Sequence, residues 1–120
     1  MTEYKLGVVE ARFADLVWEN APLTTQELVK KCAEVFEWKR TTTYTVLKRL
    51  SEKGLFRLEN GMVYAVIPRD DYYAEQSGQY VEETFAGSLP AFIAAFTKKK
   101  TLREDEIEEI RRMIDRIGKE

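Results

Sequence analysis

The apolar positions of the N-terminal half recur at the spacing of helices that bury one face each. The first series predicts a helix over residues 7–19, with an inner face formed by Val9, Phe13, Leu16 and Val17. Pro22 ends this helix. A capping-box pattern at Thr24 and Glu27 begins a second helix, because such a pair satisfies free N–H groups at a helix start. The inner face of the second helix is predicted to hold Leu28, Cys32, Val35 and Phe36.

The segment from Trp38 to Gly54 predicts a third helix whose two faces differ in chemistry. Its inward face, at i, i+3, i+4, i+7 spacing, consists of Thr43, Val46, Leu47 and Leu50. Its outward face consists of Thr41, Thr42, Thr45, Lys48 and Arg49. Threonine hydroxyls and methyls, together with an arginine fork, suit the base edges and phosphates of a DNA major groove. The alternative is an ordinary amphipathic helix with a solvated polar face.

Two strand-like runs, residues 55–59 and 62–67, follow the third helix and meet at Asn60-Gly61. Asn-Gly is the strongest short signal for a β-hairpin because both residues tolerate positive φ. Pro68 ends the second run. Three helices followed by a hairpin predict a winged helix-turn-helix domain over residues 1–69. The expected fold is mostly α (α+β), with a two-stranded wing beside the helix that enters the groove.

Further DNA contacts are predicted around the third helix. Lys39 and Arg40 at its start would grip phosphate, with ordinary surface charge as the alternative. Tyr44 fits either a phosphate contact from the flank or packing beneath the wing. The wing tip at Asn60-Gly61 is a candidate for a backbone or minor-groove contact. Trp38, in contrast, is expected to pack in the core or the turn rather than to stack on bases.

Residues 70–120 are predicted to form a helical dimerisation region. Helices are expected from residue 70 to about 87, after a cap at Ser88, and after a second capping box at Thr101 and Glu104. The aromatic and isoleucine stripes expected at the dimer interface are Tyr80, Phe85, Phe92, Phe96, Ile107, Ile110, Ile114 and Ile117. So short a tail has little room for a core of its own, and these stripes are expected to pack on a second subunit. Folding back onto the winged helix is the alternative.

The distribution of charge favours nucleic-acid binding although the net charge is −2. Residues 30–57 contain eight basic and three acidic side chains, which gives a net charge of +5. Residues 70–97 contain five acidic and no basic side chains, which gives a net charge of −5. A chain polarised in this way presents one basic surface to DNA while the remainder keeps it in solution.

Composition argues against an enzyme and against a cofactor or metal site. The chain has no His, which excludes a Ser-His-Asp triad and His-ligated zinc, and it has no glycine-rich phosphate loop. The single cysteine, Cys32, is interpreted as a buried structural thiol rather than a redox sensor. The acidic residues within 104–109 are expected to be solvated rather than catalytic. No signal-peptide pattern and no apolar run near ~20 residues occurs, so we expect a cytoplasmic protein without membrane insertion.

Residues from four parts of the chain together resemble the penicillinase repressor (BlaI/MecI/CopY) family of bacterial transcription regulators. The opening pattern of the family is matched by Leu6-Gly7, Glu10, Val17-Trp18 and Pro22-Leu-Thr24. Its recognition-helix signature is matched by Trp38, Thr42, Thr45, Leu47, Arg49-Leu50 and Lys53-Gly54. Its wing and tail are matched by Gly61, Tyr64 and Pro68, and by Gly87-Ser-Leu89 through Glu108-Glu-Ile110. The ordered set, rather than any single motif, carries the resemblance.

The resemblance implies a homodimeric repressor that binds a palindromic operator in double-stranded DNA. On the matching positions, Thr42, Thr45 and Arg49 would face the groove, and the wing around Gly61 would touch the DNA backbone. In the resistance regulators of the family, a membrane sensor metalloprotease cuts the tail before a phenylalanine. The corresponding bond here is Ala95-Phe96, with Ala where the best-known cut has Asn. The tail contains no Cys, so copper sensing is not expected.

Two other functions stay open at this point. A winged-helix module could bind a protein instead of DNA, although the +5 segment with clustered threonines disfavours this. A ligand-gated regulator could hold a small molecule between the tail and the winged helix, although a short tail encloses little volume.

Overall fold

The computed structural model describes residues 6–119 and contains six helices and three short strands in that range. In chain order these are α1 (Val8–Asn20), β1 (Leu23–Thr24), α2 (Thr25–Phe36), α3 (Arg40–Glu52), β2 (Phe56–Glu59), β3 (Met62–Ala65), α4 (Arg69–Phe85), α5 (Leu89–Lys99) and α6 (Glu104–Gly118). Helices account for 71% of the structure, which confirms the prediction of a mostly α winged-helix fold. The chain divides into two compact units, Met1–Ser77 and Gly78–Glu120.

The wing belongs to a three-stranded antiparallel sheet with the order β1-β3-β2, rather than to a two-stranded one. The added strand pairs Leu23 with Val63 and Thr24 with Met62. A strand of two residues has no measurable alternation of apolar and polar positions, which is why the sequence pattern did not predict it. Its effect is to make β3 the central strand and to leave β2 at an edge.

The predicted helix and turn signals in the first unit are largely confirmed. Glu27 donates its backbone N–H to the Thr24 hydroxyl at 3.0 Å, and Thr24 donates its own N–H to the Glu27 carboxylate at 2.8 Å. Gly54 follows α3 at a φ of +90°, which favours glycine. Asn60 and Gly61 have φ values of +52° and +76°, as a two-residue hairpin turn requires.

A single core unites the first unit. The buried apolar side chains are Phe13, Ala14, Val17, Leu23, Leu28, Cys32, Val46, Leu47, Leu50, Leu55, Phe56, Val63 and Tyr72. Two predicted inner positions are wrong, because Val9 and Val35 are 56% and 51% exposed. Each valine lies in a terminal turn of its helix, beyond the neighbours that cover the middle turns. Trp38 packs against Phe36 and Phe13, with ring centroids 4.8 and 5.7 Å away, which confirms its packing role.

The second unit contains the end of α4 together with α5 and α6. Ser88 caps α5 as predicted, since the Ala91 N–H donates to its hydroxyl at 3.1 Å. The predicted cap at Thr101 is wrong, because α6 begins only at Glu104, after Arg103. Acceptors from within the first turn replace it: the Glu106 N–H donates to the Asp105 carboxylate at 2.9 Å.

Within residues 6–119, no helix is both long enough and apolar enough to cross a membrane. The same residues contain no group of three or more His, Cys, Asp or Glu side chains arranged to hold a metal ion.

Candidate nucleic-acid interface

The orientation of α3 is fixed by its inward face. Thr43, Val46, Leu47 and Leu50 are at most 8% exposed. Because these four residues lie at helical spacing, the opposite face is forced outward. That exposed face carries Thr41, Thr42, Thr45, Lys48 and Arg49. The structure therefore brings the predicted groove-facing residues together on one solvent-exposed side of one helix.

The exposed threonines are partly committed to the helix itself. The Thr45 hydroxyl donates to the Thr41 carbonyl oxygen at 2.8 Å, so its oxygen lone pairs remain the groups that it presents outward. Its hydrogen bond to the preceding turn also fixes the direction of the methyl group. Thr42 and Thr45 lie three residues apart and thus share one stripe of the exposed face.

The inward threonine, Thr43, lies on the other side of the helix beside Cys32. Both side chains are almost completely buried. Burial raises the pKa of the Cys32 thiol, and the neighbouring Thr43 hydroxyl acts in the opposite direction. A buried thiol with a raised pKa is a poor nucleophile, which agrees with the interpretation of Cys32 as a structural residue.

The start of α3 is the most cationic end of this face. Lys39 and Arg40 are exposed beside the first turn, where the free N–H groups of the helix also carry partial positive charge. The Arg40 guanidinium lies 5.5 Å from the centroid of the Tyr44 ring. Tyr44 is half-buried and supports Arg40 from the next turn. This end of the helix is suited to attract a phosphate group.

Arg49 has an additional partner that the sequence did not reveal. Its guanidinium donates to the Glu10 carboxylate of α1 at 2.9 Å. Lys53 lies 3.6 Å from the other oxygen of the same carboxylate. The hydrogen bond from Arg49 is the main reason that the pKa of Glu10 is lowered. In the structure, Arg49 therefore lies on the exposed face of α3 and is tied to α1.

The wing is fixed to the helices at both of its ends. At its root, the Leu55 N–H donates to the Leu50 carbonyl at 3.1 Å. At its tip, the Thr25 N–H donates to the Gly61 carbonyl at 3.0 Å, which joins the turn to the start of α2. Asn60 and Gly61 are exposed at this tip, where the sequence predicts a backbone or minor-groove contact with DNA.

Arg57 is a wing cation that was not among the predicted DNA contacts. It lies opposite Tyr64 in the β2–β3 register, and its guanidinium is 4.8 Å from the centroid of the Tyr64 ring. The sequence contained the signal for this pair. Once the Asn60-Gly61 turn sets the register, strand alternation places both residues on the face opposite the buried Phe56 and Val63.

The second unit exposes many of the residues predicted for dimerisation. The aromatic side chains form a chain of edge and tilted contacts through Tyr80, Phe85, Phe92 and Phe96. On α6, Ile110, Ile114 and Ile117 are 36%, 58% and 68% exposed. Between α5 and α6 lies a cavity of about 320 Å³ lined by Phe92, Ile93, Phe96, Thr97, Leu102, Glu106, Ile107, Ile110 and Arg111. The surface is thus apolar, continuous and open.

The bond between Ala95 and Phe96 lies inside α5, three residues or more from either end of the helix. Both side chains are exposed, and Phe96 is 44% exposed. A protease needs its substrate in an extended conformation, so a cut at this bond would require local unwinding of α5.

Comparison with known proteins agrees with this geometry. The family model for the penicillinase repressor matches residues 6–116. The methicillin resistance regulatory protein MecI of Staphylococcus aureus (strain Mu50) is 21% identical over 117 residues, covering 94% of this chain and 95% of that protein. MecI of Mammaliicoccus sciuri is 20% identical with the same coverage, and the penicillinase repressor of Staphylococcus aureus is 22% identical over 98% of this chain and 96% of its own length. The chain therefore belongs to the penicillinase repressor family of DNA-binding transcription regulators.

Proposed function

We propose that this protein is a transcriptional repressor that binds a palindromic operator sequence as a homodimer. The observation that carries the proposal is the exposed threonine face of α3, which is held outward by its buried opposite face and begins with two cations. Helix-turn-helix proteins insert the N-terminal part of this helix into the major groove. Repression then follows from occupying promoter DNA and needs no catalytic group.

Two kinds of contact with DNA have different roles. Lys39, Arg40 and Lys48 bind phosphates, which sets affinity and orientation but carries no sequence information. Thr42 and Thr45 meet base edges, where the Thr45 hydroxyl, which already donates to Thr41, accepts a hydrogen bond and the methyl groups contact the C5-methyl of thymine. Thr41 lies next to them and reaches the backbone of one strand.

Arg49 contacts a base of the DNA after its ion pair with Glu10 is broken. An exposed ion pair such as Glu10–Arg49 is worth only about 0–1 kcal/mol. A bidentate pair between arginine and guanine discriminates against a wrong base by about 1–3 kcal/mol. The balance favours transfer of Arg49 from Glu10 to a guanine in the correct position. Arg49 lies two helical turns, or about 10 Å, from Thr42 along the axis of α3, on the same stripe.

The homodimer is formed by the apolar surface of the second unit. Ile107, Ile110, Ile114 and Ile117 of α6, with Phe92 and Phe96 of α5, pack on the same surface of a second copy. A monomer rarely exposes so continuous an apolar surface, and an isologous pairing covers it in both subunits at once. The twofold axis of such a dimer matches the symmetry of a palindromic site.

Release of the operator would follow from cutting the tail. The relatives that match this chain are named as regulators of methicillin resistance and as a penicillinase repressor. By extension, we propose that a membrane sensor metalloprotease cuts the Ala95–Phe96 bond and separates part of the dimerising surface from the DNA-binding unit. The repressor itself would act in the cytoplasm, where its operator lies.

A salt titration of DNA binding tests the proposal. The full chain is used to select a duplex from a random-sequence pool, and its affinity for that duplex is measured at several salt concentrations. The affinity should fall steeply with salt, because bound phosphates release counterions. No binding, or an affinity that does not change with salt, would refute DNA binding, and binding without any selected sequence would refute recognition of a specific operator.

Two variants then locate the reading face. Thr42→Val combined with Thr45→Val removes two hydroxyls but keeps the shape and should weaken binding to the selected duplex more than to a scrambled one. Thr84→Val on the exposed side of α4 is the matched control and should change neither. Equal effects on the two duplexes would remove these threonines from the reading role.

A further inference from the structure

The arginines of the first unit differ in the partners of the guanidinium. Arg49 and Arg69 have carboxylate partners on α1, namely Glu10 at 2.9 Å and Asp15 at 3.2 Å. Arg12, Arg40 and Arg57 lie over the rings of Phe36, Tyr44 and Tyr64, and Arg69 also lies over the ring of Tyr73. A carboxylate uses the N–H donors of an arginine, whereas an aromatic ring contacts only the face of the guanidinium and leaves the N–H edge available.

Among the residues that the structure describes, the wing pair is the closest of the four arginine–ring contacts. The Arg57 guanidinium lies 4.8 Å from the Tyr64 centroid, against 5.5 Å for Arg40 and Tyr44. The Arg57 side chain is 54% exposed, so it is reachable from solvent. Glu59 also approaches it, but their charged atoms are 3.8 Å apart, which is too long for a hydrogen bond. Arg57 is therefore held in place while keeping its donors.

The support under this pair is rigid. Arg57 and Tyr64 are direct cross-strand partners, and the strands that carry them are anchored by Phe56 and Val63 in the core. The root and the tip of the wing are hydrogen-bonded to Leu50 of α3 and to Thr25 at the start of α2. Tyr64 and its arginine thus have a fixed position relative to the helix that enters the groove.

We propose that Arg57, seated on Tyr64, is a phosphate-binding residue of the wing and forms a second clamp on the DNA backbone beside Arg40 on Tyr44. The proposal rests on the DNA-binding function proposed above. It adds Arg57 to the wing contact already expected at Asn60-Gly61. A guanidinium edge that is already oriented binds phosphate through two parallel N–H bonds and loses little side-chain freedom in doing so.

The salt dependence of DNA affinity measures this contact directly. In the full chain, Arg57→Gln should reduce the slope of log affinity against log salt by about 0.9 for each protomer bound, on selected and scrambled duplexes alike. Arg57→Lys should keep the slope, since a point charge still displaces a counterion. Arg69→Gln is the matched control: it removes the same charge from a ring-seated arginine whose donors are committed to Asp15, and its slope should equal the wild type.

Replacing Tyr64 tests the orientation of the Arg57 guanidinium separately from its charge. Tyr64→Leu keeps the cation but should lower affinity about two- to fivefold with an unchanged slope, as expected for loss of an exposed cation–π contact. Thermal unfolding of each variant shows whether the wing is intact. If folded Arg57→Gln retains the wild-type slope, the clamp is refuted. If the wild type itself shows no salt-dependent binding, the DNA-binding function fails instead, so the two failures are distinct.

Discussion

Glu10 of α1 accepts a hydrogen bond from Arg49 of α3 at 2.9 Å, and this contact joins the helix that we propose reads DNA to the first helix of the fold. The carboxylate is mostly shielded by its surroundings, with 17% of its side chain exposed, whereas Arg49 is 50% exposed. Lys53 reinforces the same carboxylate from the end of the helix. One acidic residue thereby holds two cations at the C-terminal end of α3.

Replacing Arg49 tests its role as a base reader. Arg49→Ala should lower affinity for the selected duplex by a factor of roughly 5 to 150, which corresponds to the loss of one bidentate base contact. The sequence preference should relax at a single base pair per half-site. Repeating the selection with the variant measures this, and an unchanged preference at every position would leave Arg49 only its contact with Glu10.

Acid should weaken the junction between α1 and α3. The pKa of Glu10 is lowered in the folded protein from an ordinary value of 4.5, chiefly by the Arg49 hydrogen bond. The charged form is therefore favoured by folding, so its contribution to stability is complete above pH 4.5 and is lost as the pH falls through the lower folded pKa.

Urea unfolding from pH 6 to pH 3 measures this contribution. The difference in the free energy of unfolding between the wild type and Glu10→Gln should shrink as the pH decreases. Glu19→Gln makes the same change at an exposed position of α1 and serves as the control. A constant difference between wild type and Glu10→Gln over this range would show that the charged Glu10 carboxylate does not contribute to stability.

Charges placed on the exposed stripe of α6 should separate the subunits. Ile110→Asp combined with Ile114→Asp removes two half-exposed apolar contacts and adds two negative charges where we propose that the subunits meet. Sizing chromatography should then give a monomer. Arg112→Asp changes the net charge by the same amount on the opposite face of α6 and should remain dimeric. A double variant that still elutes as a dimer would place the interface elsewhere.

Two glycines should respond to alanine in opposite directions. Gly78 lies inside α4 with nothing within 4 Å of an added Cβ, so Gly78→Ala should stabilise the protein by about 0.5–1 kcal/mol. Gly54 also has open space, but its φ is +90°, so Gly54→Ala should destabilise by about 1–3 kcal/mol. Thermal or denaturant unfolding tests both, and a stabilising Gly54→Ala would show that the turn after α3 rearranges freely.

Sequence patterns predicted the parts of the fold that depend on local chemistry. The caps at Thr24 and Ser88 and the turn at Asn60-Gly61 are confirmed because each depends on residues within a few positions of one another. The outward orientation of the α3 threonines likewise follows from helical periodicity alone. Local spacing was sufficient at these positions, but it failed at Thr101, because α6 begins only after Arg103.

Several features that the sequence did not predict depend on distant partners. β1 exists because Leu23 meets Val63, forty residues along the chain. Arg49 was predicted to face the groove, and the ion pair that it forms with Glu10 was not predicted because nothing in α3 points to that residue of α1. Val35 was predicted to be buried and is exposed, because helical spacing gives the direction of a side chain but not whether another element covers it.

The hydrogen bond from Thr25 to Gly61 has a kinetic consequence for encounter with a duplex. Because this hydrogen bond holds the hairpin against the start of α2, the hairpin keeps one orientation before it contacts the DNA backbone. Few additional torsions of the wing are then immobilised on binding, so ordering the wing costs little of the binding free energy.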